Sequence, residues 1–535
     1  MFTKKETKLL KPFFSNLNKD VFILRNMPEV LKGALFSRYS RSSLLLRDLF
    51  LKQYINSDEI DSSGYFEKIS KYEDIEKILN TEKAKKFYSK WLAMYGDDSI
   101  AELTGIHIAI ENISVLATKA IENSRIGISP LEKSTRYVDF SDKDNKGQYK
   151  YYKDPKIMKS EHAKEYVNTL DLMFETYSKL IDPMKEYFQK KFPQPKDVSD
   201  SAYKSSIKAK VCDTIRGLLP IAAKTNMGIF ANGRAVEYLL TKMYANPLTE
   251  VQDLAKSIHI EAKKYIENFV ERLDCELGDI YVSYLKNTRV YTKKEASLLL
   301  KNKFEKIKGC SVKLLEYNKN AENILAANLL YPYSNLSYKK NLDIAKNMPE
   351  KKKKNLFNNY VKYRKGRWHK PDKAFENIFY TFEITSDVGT YKDLQRHRMT
   401  TMHRQFFTTK HGYEIPKDIV KAGFEDKYIN AMDSADTLYK KLKKKFPYEA
   451  QYIVSHNHFL RWKLKMNLRE AFHLCELRSS PQGHPNYRET AQKIYKLICK
   501  KHPLLGDLIR YVNLEDPGLE RLSAEVRKEE RLKKM

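Results

Sequence analysis

The chain has 535 residues, with 98 lysines and arginines against 68 acidic residues and a net charge of +30. That length favours two or three domains over one, and a hydrophobic content of 42% is ample for packed cores. No apolar run approaches the ~20 residues that span a bilayer, and the start, Met1-Phe-Thr-Lys-Lys-Glu, lacks the apolar segment of a secretory signal, so a cytoplasmic protein off the membrane is expected.

Lysines are spread along the chain, with runs only at 351–354 and 443–445. The favoured reading is a solvated Lys-rich surface; steering of anionic substrates and non-specific nucleic-acid contact compete with it, and charge alone names no partner. Five cysteines (Cys212, Cys275, Cys310, Cys475, Cys499) form no Cys-x-x-Cys pair and have no histidines at metal spacing. They read as small hydrophobes in a reducing compartment, with no metal expected.

In chain order, residues 20–95 alternate apolar and charged positions at helical spacing until Gly96-Asp97-Asp98-Ser99 breaks the pattern. Residues 104–110 alternate like a strand and 113–121 return to helical spacing. Segments 202–219 and 228–244 read as helices; they carry Arg216-Gly-Leu-Leu-Pro220 and Asn232-Gly-Arg234 and are followed by an amphipathic helix at 249–270. The Lys- and Asn-rich stretch 334–357 reads as a surface connection. Residues 375–384 alternate like a half-buried strand, 385–394 form a short amphipathic run, and Arg396-His397-Arg398 follows. Asn467-Leu-Arg469 leads into an apolar helix through His473 to Arg478, then comes a helix at 486–500, and 517–535 reads as a charged terminal helix.

Self-similarity sets the expected architecture. Strand then helix at 104–121 recurs at 375–394, and both Asn-x-Arg triplets precede an apolar helix, a turn and a second amphipathic helix. The reading is a tandem duplication: repeat one over 1–290, repeat two over 291–515, and a charged tail over 516–535.

The stretch Arg396-His397-Arg398 to Gln405-Phe-Phe-Thr-Thr-Lys-His411 resembles the signature region of the flavin-dependent thymidylate synthases. It departs from that family's Glu-x-Ser-x-Arg, having Arg404, Phe406 and Thr408 instead. Repeat one resembles the same family through the complementary parts, Glu132-Lys133-Ser134-Thr135-Arg136-Tyr137 and the Arg-x-x-Leu-Pro element at Arg216. Offsets from these anchors place Ser124-Arg125-Ile126 opposite Arg-His-Arg, Gln451 opposite Arg216 and Met243 opposite Arg478. Each repeat therefore retains the half of the signature that the other has lost. In this family one subunit supplies each half, so the split leaves one composite site whole.

The resemblance implies an α+β fold of two tandem synthase-like repeats forming an internal pseudo-dimer. It implies reductive methylation of dUMP to dTMP, with FAD as cofactor and NADPH and methylenetetrahydrofolate as co-substrates. Two chains would associate into a pseudo-tetramer. Arg478 and Arg396 are the implied catalytic residues. Gln395, Arg396, Glu132, Lys133, Ser134, Thr135, Arg136, Arg216 and Arg478 would bind substrate. Ser99, Glu132, Arg396, His397, Arg398, Asn467, Arg469, His473, Asn232 and Arg234 fall on flavin-contact positions, with no indication of which Asn-x-Arg pair serves. The histidine that the family has near the Gly96 element is Asp97 here. Without the resemblance, carboxylates close in sequence are the simple partners: Asp139 for Arg136, and Glu476 or Glu489 for Arg478. A non-catalytic nucleotide- or flavin-binding remnant, a basic nucleic-acid-binding protein and a methylase of uracil in RNA are the competing functions.

Overall fold

The computed structural model describes residues 2–52 and 101–534, apart from Pro28, Arg41, Asn302 and Pro517. Ser99, its Gly96 element and most of the predicted 20–95 helical stretch lie outside the described residues. Seven strands are described: β1 (Gly105–Ser114), β2 (Ile128–Glu132), β3 (Lys224–Asn232), β4 (Ser311–Tyr317), β5 (Phe379–Asp387), β6 (Thr401–Arg404) and β7 (Phe459–Asn467). The helices that matter for the site are α1 (Val115–Glu122), α2 (Asp200–Ile215), α3 (Gly233–Tyr244), α4 (Val388–Leu394), α5 (Leu468–Arg478) and α6 (Pro485–Lys501). Among the described residues no helix is long and apolar enough to cross a membrane.

Contacts divide the chain into two discontinuous units. The first comprises Met1–Glu111, Ala120–Leu131 and Met227–Asn302; the second comprises Asn112–Lys119, Glu132–Asn226 and Lys303–Met535. The first holds a three-stranded sheet in the order β1-β3-β2. Asn232 ends β3 and caps α3, its Oδ1 accepting from the Ala235 N–H at 2.8 Å. A helix over Thr249–Val270 buries Val251, Ala255, Ile258, Ala262 and Ile266, one apolar stripe at helical spacing.

The second unit is built on a four-stranded sheet, β4-β5-β7-β6. β5 pairs with β7 without interruption from Phe379↔Asn467 to Asp387↔Phe459. The predicted half-buried strand at 375–384 is corrected here. Residues Lys373–Asn377 form a 3₁₀ turn capped by Asp372, and β5 is buried at every position except Phe379 and Glu383. A central strand covered on both faces loses the polar alternation of an edge strand. Two further expectations change: 228–232 belongs to β3 rather than to a helix, and 334–357 is mostly two helices, Tyr338–Asn347 and Glu350–Val361. The tail does carry a charged helix, Leu522–Lys534.

The two repeats meet inside the second unit in a mirrored set of backbone bonds. Ile221 N–H donates to Val454 C=O (2.8 Å) and His456 N–H to Leu219 C=O (3.0 Å). Ala222 N–H donates to Tyr452 C=O (3.1 Å), and Asn457 N–H to Gly217 C=O (3.3 Å). Pro220 and Ser455, which are 455 − 220 = 235 positions apart, sit at the middle as an antiparallel bridge. Adding 235 to one donor and subtracting it from its acceptor turns each bond into its mate, as an isologous two-fold contact requires. The helix starts match too. Val115 N–H and Leu116 N–H bond Ala223 C=O and Ile221 C=O, and Val388 N–H and Gly389 N–H bond His458 C=O and His456 C=O, all at 2.9–3.0 Å. The fold is thus α+β, with two tandem repeats forming an internal pseudo-dimer.

Candidate functional site

Asp387 ends β5 and starts α4, its carboxylate accepting from Thr390 N–H (2.8 Å) and Thr390 Oγ1 (2.7 Å). With the helix start pinned, all seven residues of α4 are buried, Lys392 and Asp393 included. Asp393 Oδ2 accepts from Arg216 Nη1 at 3.0 Å, and Oδ1 lies 3.6 Å from Arg396 Nη2. Burial opposes ionisation of Asp393, but Arg216, Arg396, Arg136 and Lys392 together hold the carboxyl well below the ordinary range. Arg216 is 1% exposed, and its Nη2 has no hydrogen-bond partner. Gln395 is in a similar position: Nε2 donates to Lys119 C=O (3.2 Å) while the buried Oε1 has no partner.

Glu132, at the end of β2, is shared by two lysines. Lys119 Nζ lies 3.3 Å from Oε2 and Lys392 Nζ 3.2 Å from Oε1, and Thr118 Oγ1 donates to Oε1. Burial disfavours the carboxylate, yet Lys119, Lys392 and Arg396 bring Glu132 down to about 2. The two lysines occupy equivalent places in the repeats, since 392 − 119 = 273 is the spacing that relates α1 to α4. Repeat two has Arg404 where repeat one has Glu132, so both lysines turn to a single carboxylate. Burial lowers the Lys392 amine despite that neighbour.

Arg136 forks onto Asp213 of α2, Nε to Oδ1 at 2.8 Å and Nη2 to Oδ2 at 2.7 Å, and its Nη1 donates to the Tyr487 hydroxyl of α6. Arg136 and Arg478 both have their guanidinium carbon 5.4 Å from the Tyr487 ring centre. Arg478 Nε donates to His397 Nε2 at 2.8 Å, and His397 Nδ1 lies 2.6 Å from Glu470 Oε1. Neither Asp139 nor Glu476 is the partner that proximity in sequence suggested; Glu476 instead holds Arg364.

One cluster therefore gathers Glu132, Arg136 and Arg216 from repeat one with Gln395, Arg396, His397 and Arg478 from repeat two. Ser134 accepts from Arg136 N–H, Thr135 beside it is buried, and Lys133 is exposed over the Phe140 ring. Arg398 is exposed. On α5, Asn467 caps the helix, Arg469 pairs with Glu376 (3.0 Å), and His473 Nδ1 faces Glu470 at 3.4 Å. Asn232 and Arg234 belong to the first unit, where Arg234 pairs with Glu102 (2.8 Å).

Sequence reasoning missed Asp393, Asp213, Glu470, Lys119, Lys392 and Tyr487. The repeat spacing relating Lys119 to Lys392 was a usable signal; the carboxylates had none. The equivalent positions in the other repeat are filled differently. Gln451 accepts from Phe407 N–H (3.2 Å), and the Arg404 guanidinium lies 3.9 Å from the Phe407 ring centre.

Sequence comparison finds the same two-copy organisation of the chain. The family model for thymidylate synthase complementing protein matches twice, over residues 57–266 and 313–504. The chain belongs to that family, the flavin-dependent thymidylate synthases, in a two-copy form. UPF0159 proteins of Chlamydia pneumoniae and Chlamydia muridarum are each 39% identical, covering 99% and 98% of this chain and 98% of each relative. One from Thermoplasma acidophilum is 30% identical over 93% of this chain and 98% of its own length. Among solved structures, a UMP/dUMP methylase PolB from Streptomyces cacaoi bound with 5-Br dUMP overlaps 40% of this chain and all of its own, at 13% identity and a TM-score of 0.32.

Proposed function

We propose that this chain converts dUMP to dTMP by reductive methylation at one composite site, with methylenetetrahydrofolate as carbon donor, NADPH as reductant and FAD as cofactor. The observation that carries the reading is the gathering of Arg136 and Arg216 from repeat one with Arg396 and Arg478 from repeat two in one cluster rich in cations. Among groups joined by direct contacts, the cations are Lys119, Lys392, Arg136, Arg216, Arg396 and Arg478, and the carboxylates are Glu132, Asp213, Asp393 and Glu470. Six against four leaves these contacts richer in cations than in carboxylates, which suits an anionic ligand. Arg216 Nη2 is a buried donor without a hydrogen-bond partner in this cluster, placed to meet such an anion.

In this reading Arg216 and Arg136 hold the phosphate, which sets the distance of the uracil ring from the rest of the cluster. Arg478 faces the ring, and its permanent charge favours loss of the imide proton and so raises electron density at C5. A thiolate route to the same end is poorly served. Burial pushes the Cys212 thiol up to about 12 and raises Cys310 and Cys475 as well.

The donor set suits a partly solvated anionic cofactor. Arg396 and His473 side chains are each 31% exposed, Arg469 38%, and Arg398 is exposed too, so these residues would hold the FAD pyrophosphate. FAD, when bound, supplies the hydride that it draws from NADPH.

The test is direct. Purified protein with dUMP, methylenetetrahydrofolate, NADPH and FAD should form dTMP and release tritium from C5-labelled dUMP. Binding of dUMP with neither product would leave a non-catalytic remnant. One FAD per chain is expected, with a sedimentation mass of two chains; two FAD per chain would contradict the single site.

Gly389 offers a second check. A Cβ there would lie 2.9 Å from Asp387 Oδ1 and 3.0 Å from Arg216 Nη2. Gly389→Ala should displace the Arg216 fork and raise KM for dUMP about tenfold with kcat little changed, as measured by steady-state kinetics.

A further inference from the structure

His397 is 4% exposed, and both of its ring nitrogens are engaged. An arginine Nε always carries hydrogen, so in the contact with Arg478 His397 Nε2 accepts. The ring proton of the neutral imidazole then sits on Nδ1 and is donated to Glu470 Oε1, 2.6 Å away. Glu470 is itself fixed: its N–H is capped by Asn467 Oδ1 at 2.8 Å, and its second oxygen faces His473. Glu470 and Arg478 lie on one helix, 478 − 470 = 8 residues or about 12 Å of rise apart, too far to touch. His397, brought in by the other strand–helix arm of the same repeat, bridges them.

The geometry points to Glu470 and His397 as positioning residues that aim the Arg478 guanidinium, Glu470 by selecting the His397 tautomer and His397 by holding Nε. With Nε held, the Nη1/Nη2 fork is left to face a planar acceptor. The relay deepens the methylation reading and rests on it for its kinetic test.

The remaining electrostatics agree. The groups around the ring are Glu470, Arg478 and His473, whose ring centre is 5.1 Å away. Burial first, then Arg478, lowers His397 to about 4 even though Glu470 opposes the shift. Protonation at Nε2 would remove the acceptor that Arg478 uses, and burial beside that guanidinium disfavours it.

The experiment uses the full-length protein. Glu470→Ala should lower kcat for dTMP formation about 10- to 100-fold while KM for dUMP moves less than about threefold. Glu470→Gln, which keeps an oxygen to accept the Nδ1 proton, should recover most of that loss. The double variant Glu470→Ala/Arg478→Ala should be no slower than Arg478→Ala alone, because both changes remove one function. Should the alanine variant fail to fold, as circular dichroism would reveal, the glutamine variant and ¹⁵N NMR of the wild type carry the test. The NMR should report His397 protonated on Nδ1 and neutral down to pH 5. Unchanged kcat in Glu470→Ala, fully additive losses, or an Nε2-protonated His397 would overturn the relay while leaving the methylation reading intact. A wild-type chain that forms no dTMP but retains the Nδ1 tautomer would do the reverse.

Discussion

Arg216→Ala is expected to abolish measurable dUMP binding and to destabilise the protein by about 3–5 kcal/mol, the scale for breaking a buried ion pair from one side. Arg216 is 1% exposed, and its Nη1 is a direct cationic contact of Asp393 Oδ2. Truncation leaves a buried carboxylate facing Arg396 at 3.6 Å, a longer and weaker contact. The two effects separate in Arg216→Lys. A lysine restores charge beside Asp393 but has no second planar donor where Nη2 stands, so stability should largely return while dUMP affinity stays about 100-fold down. Calorimetric titration with dUMP and urea unfolding measure the two quantities. Wild-type affinity in Arg216→Lys would remove this residue from the phosphate site.

Glu132→Gln should cost about 3 kcal/mol at neutral pH, and the loss should shrink in acid. The folded carboxyl sits at about 2 against an ordinary 4.5. At about 1.4 kcal/mol for each tenfold change in proton affinity, that difference amounts to about 3 kcal/mol. The folded state binds this proton more weakly than the unfolded chain does. The stabilisation is therefore complete above pH 4.5 and disappears as pH falls toward 2. Urea unfolding of wild type and variant at pH 7, 4.5 and 3 should give curves that converge only below 4.5. Parallel curves down to pH 3 would show that Glu132 does not carry the charge of two lysines. In the variant Lys392, already lowered by burial, should titrate lower still.

Much of the site's layout was legible in the sequence because duplication writes it twice. Subtracting positions paired Arg216 with Gln451 and Glu132 with Arg404, and the mirrored bonds of Ile221 with Val454 and His456 with Leu219 follow the 235-residue spacing of the first pair. Periodicity was a weaker guide where burial is two-sided. The alternation over 375–384 pointed to a strand, but β5 is buried on both of its faces and so has no solvent face for the pattern to mark. At 228–232 apolar residues before a capped helix read as part of that helix, whereas they form β3.

Partners of the charged residues were not legible, for a definite reason. Arg136 meets Asp213 across 77 residues, Arg216 meets Asp393 across 177, and Arg478 meets His397 across 81. Local spacing constrains contacts within a helix turn or across a hairpin and says nothing of pairs at such separations. Asp139, Glu476 and Glu489 were near in sequence, and the fold passed over all three as partners of these arginines.

By itself the sequence determined the family, the tandem repeat and which half of the signature each copy retains, all properties of order along the chain. Only the tertiary structure decided which carboxylate each arginine faces, that Arg216 keeps one buried donor unspent, and that His397 is a neutral link rather than a cation. Protonation and aim depend on desolvation and on charges within a few ångströms, and those neighbours come from segments up to hundreds of residues away.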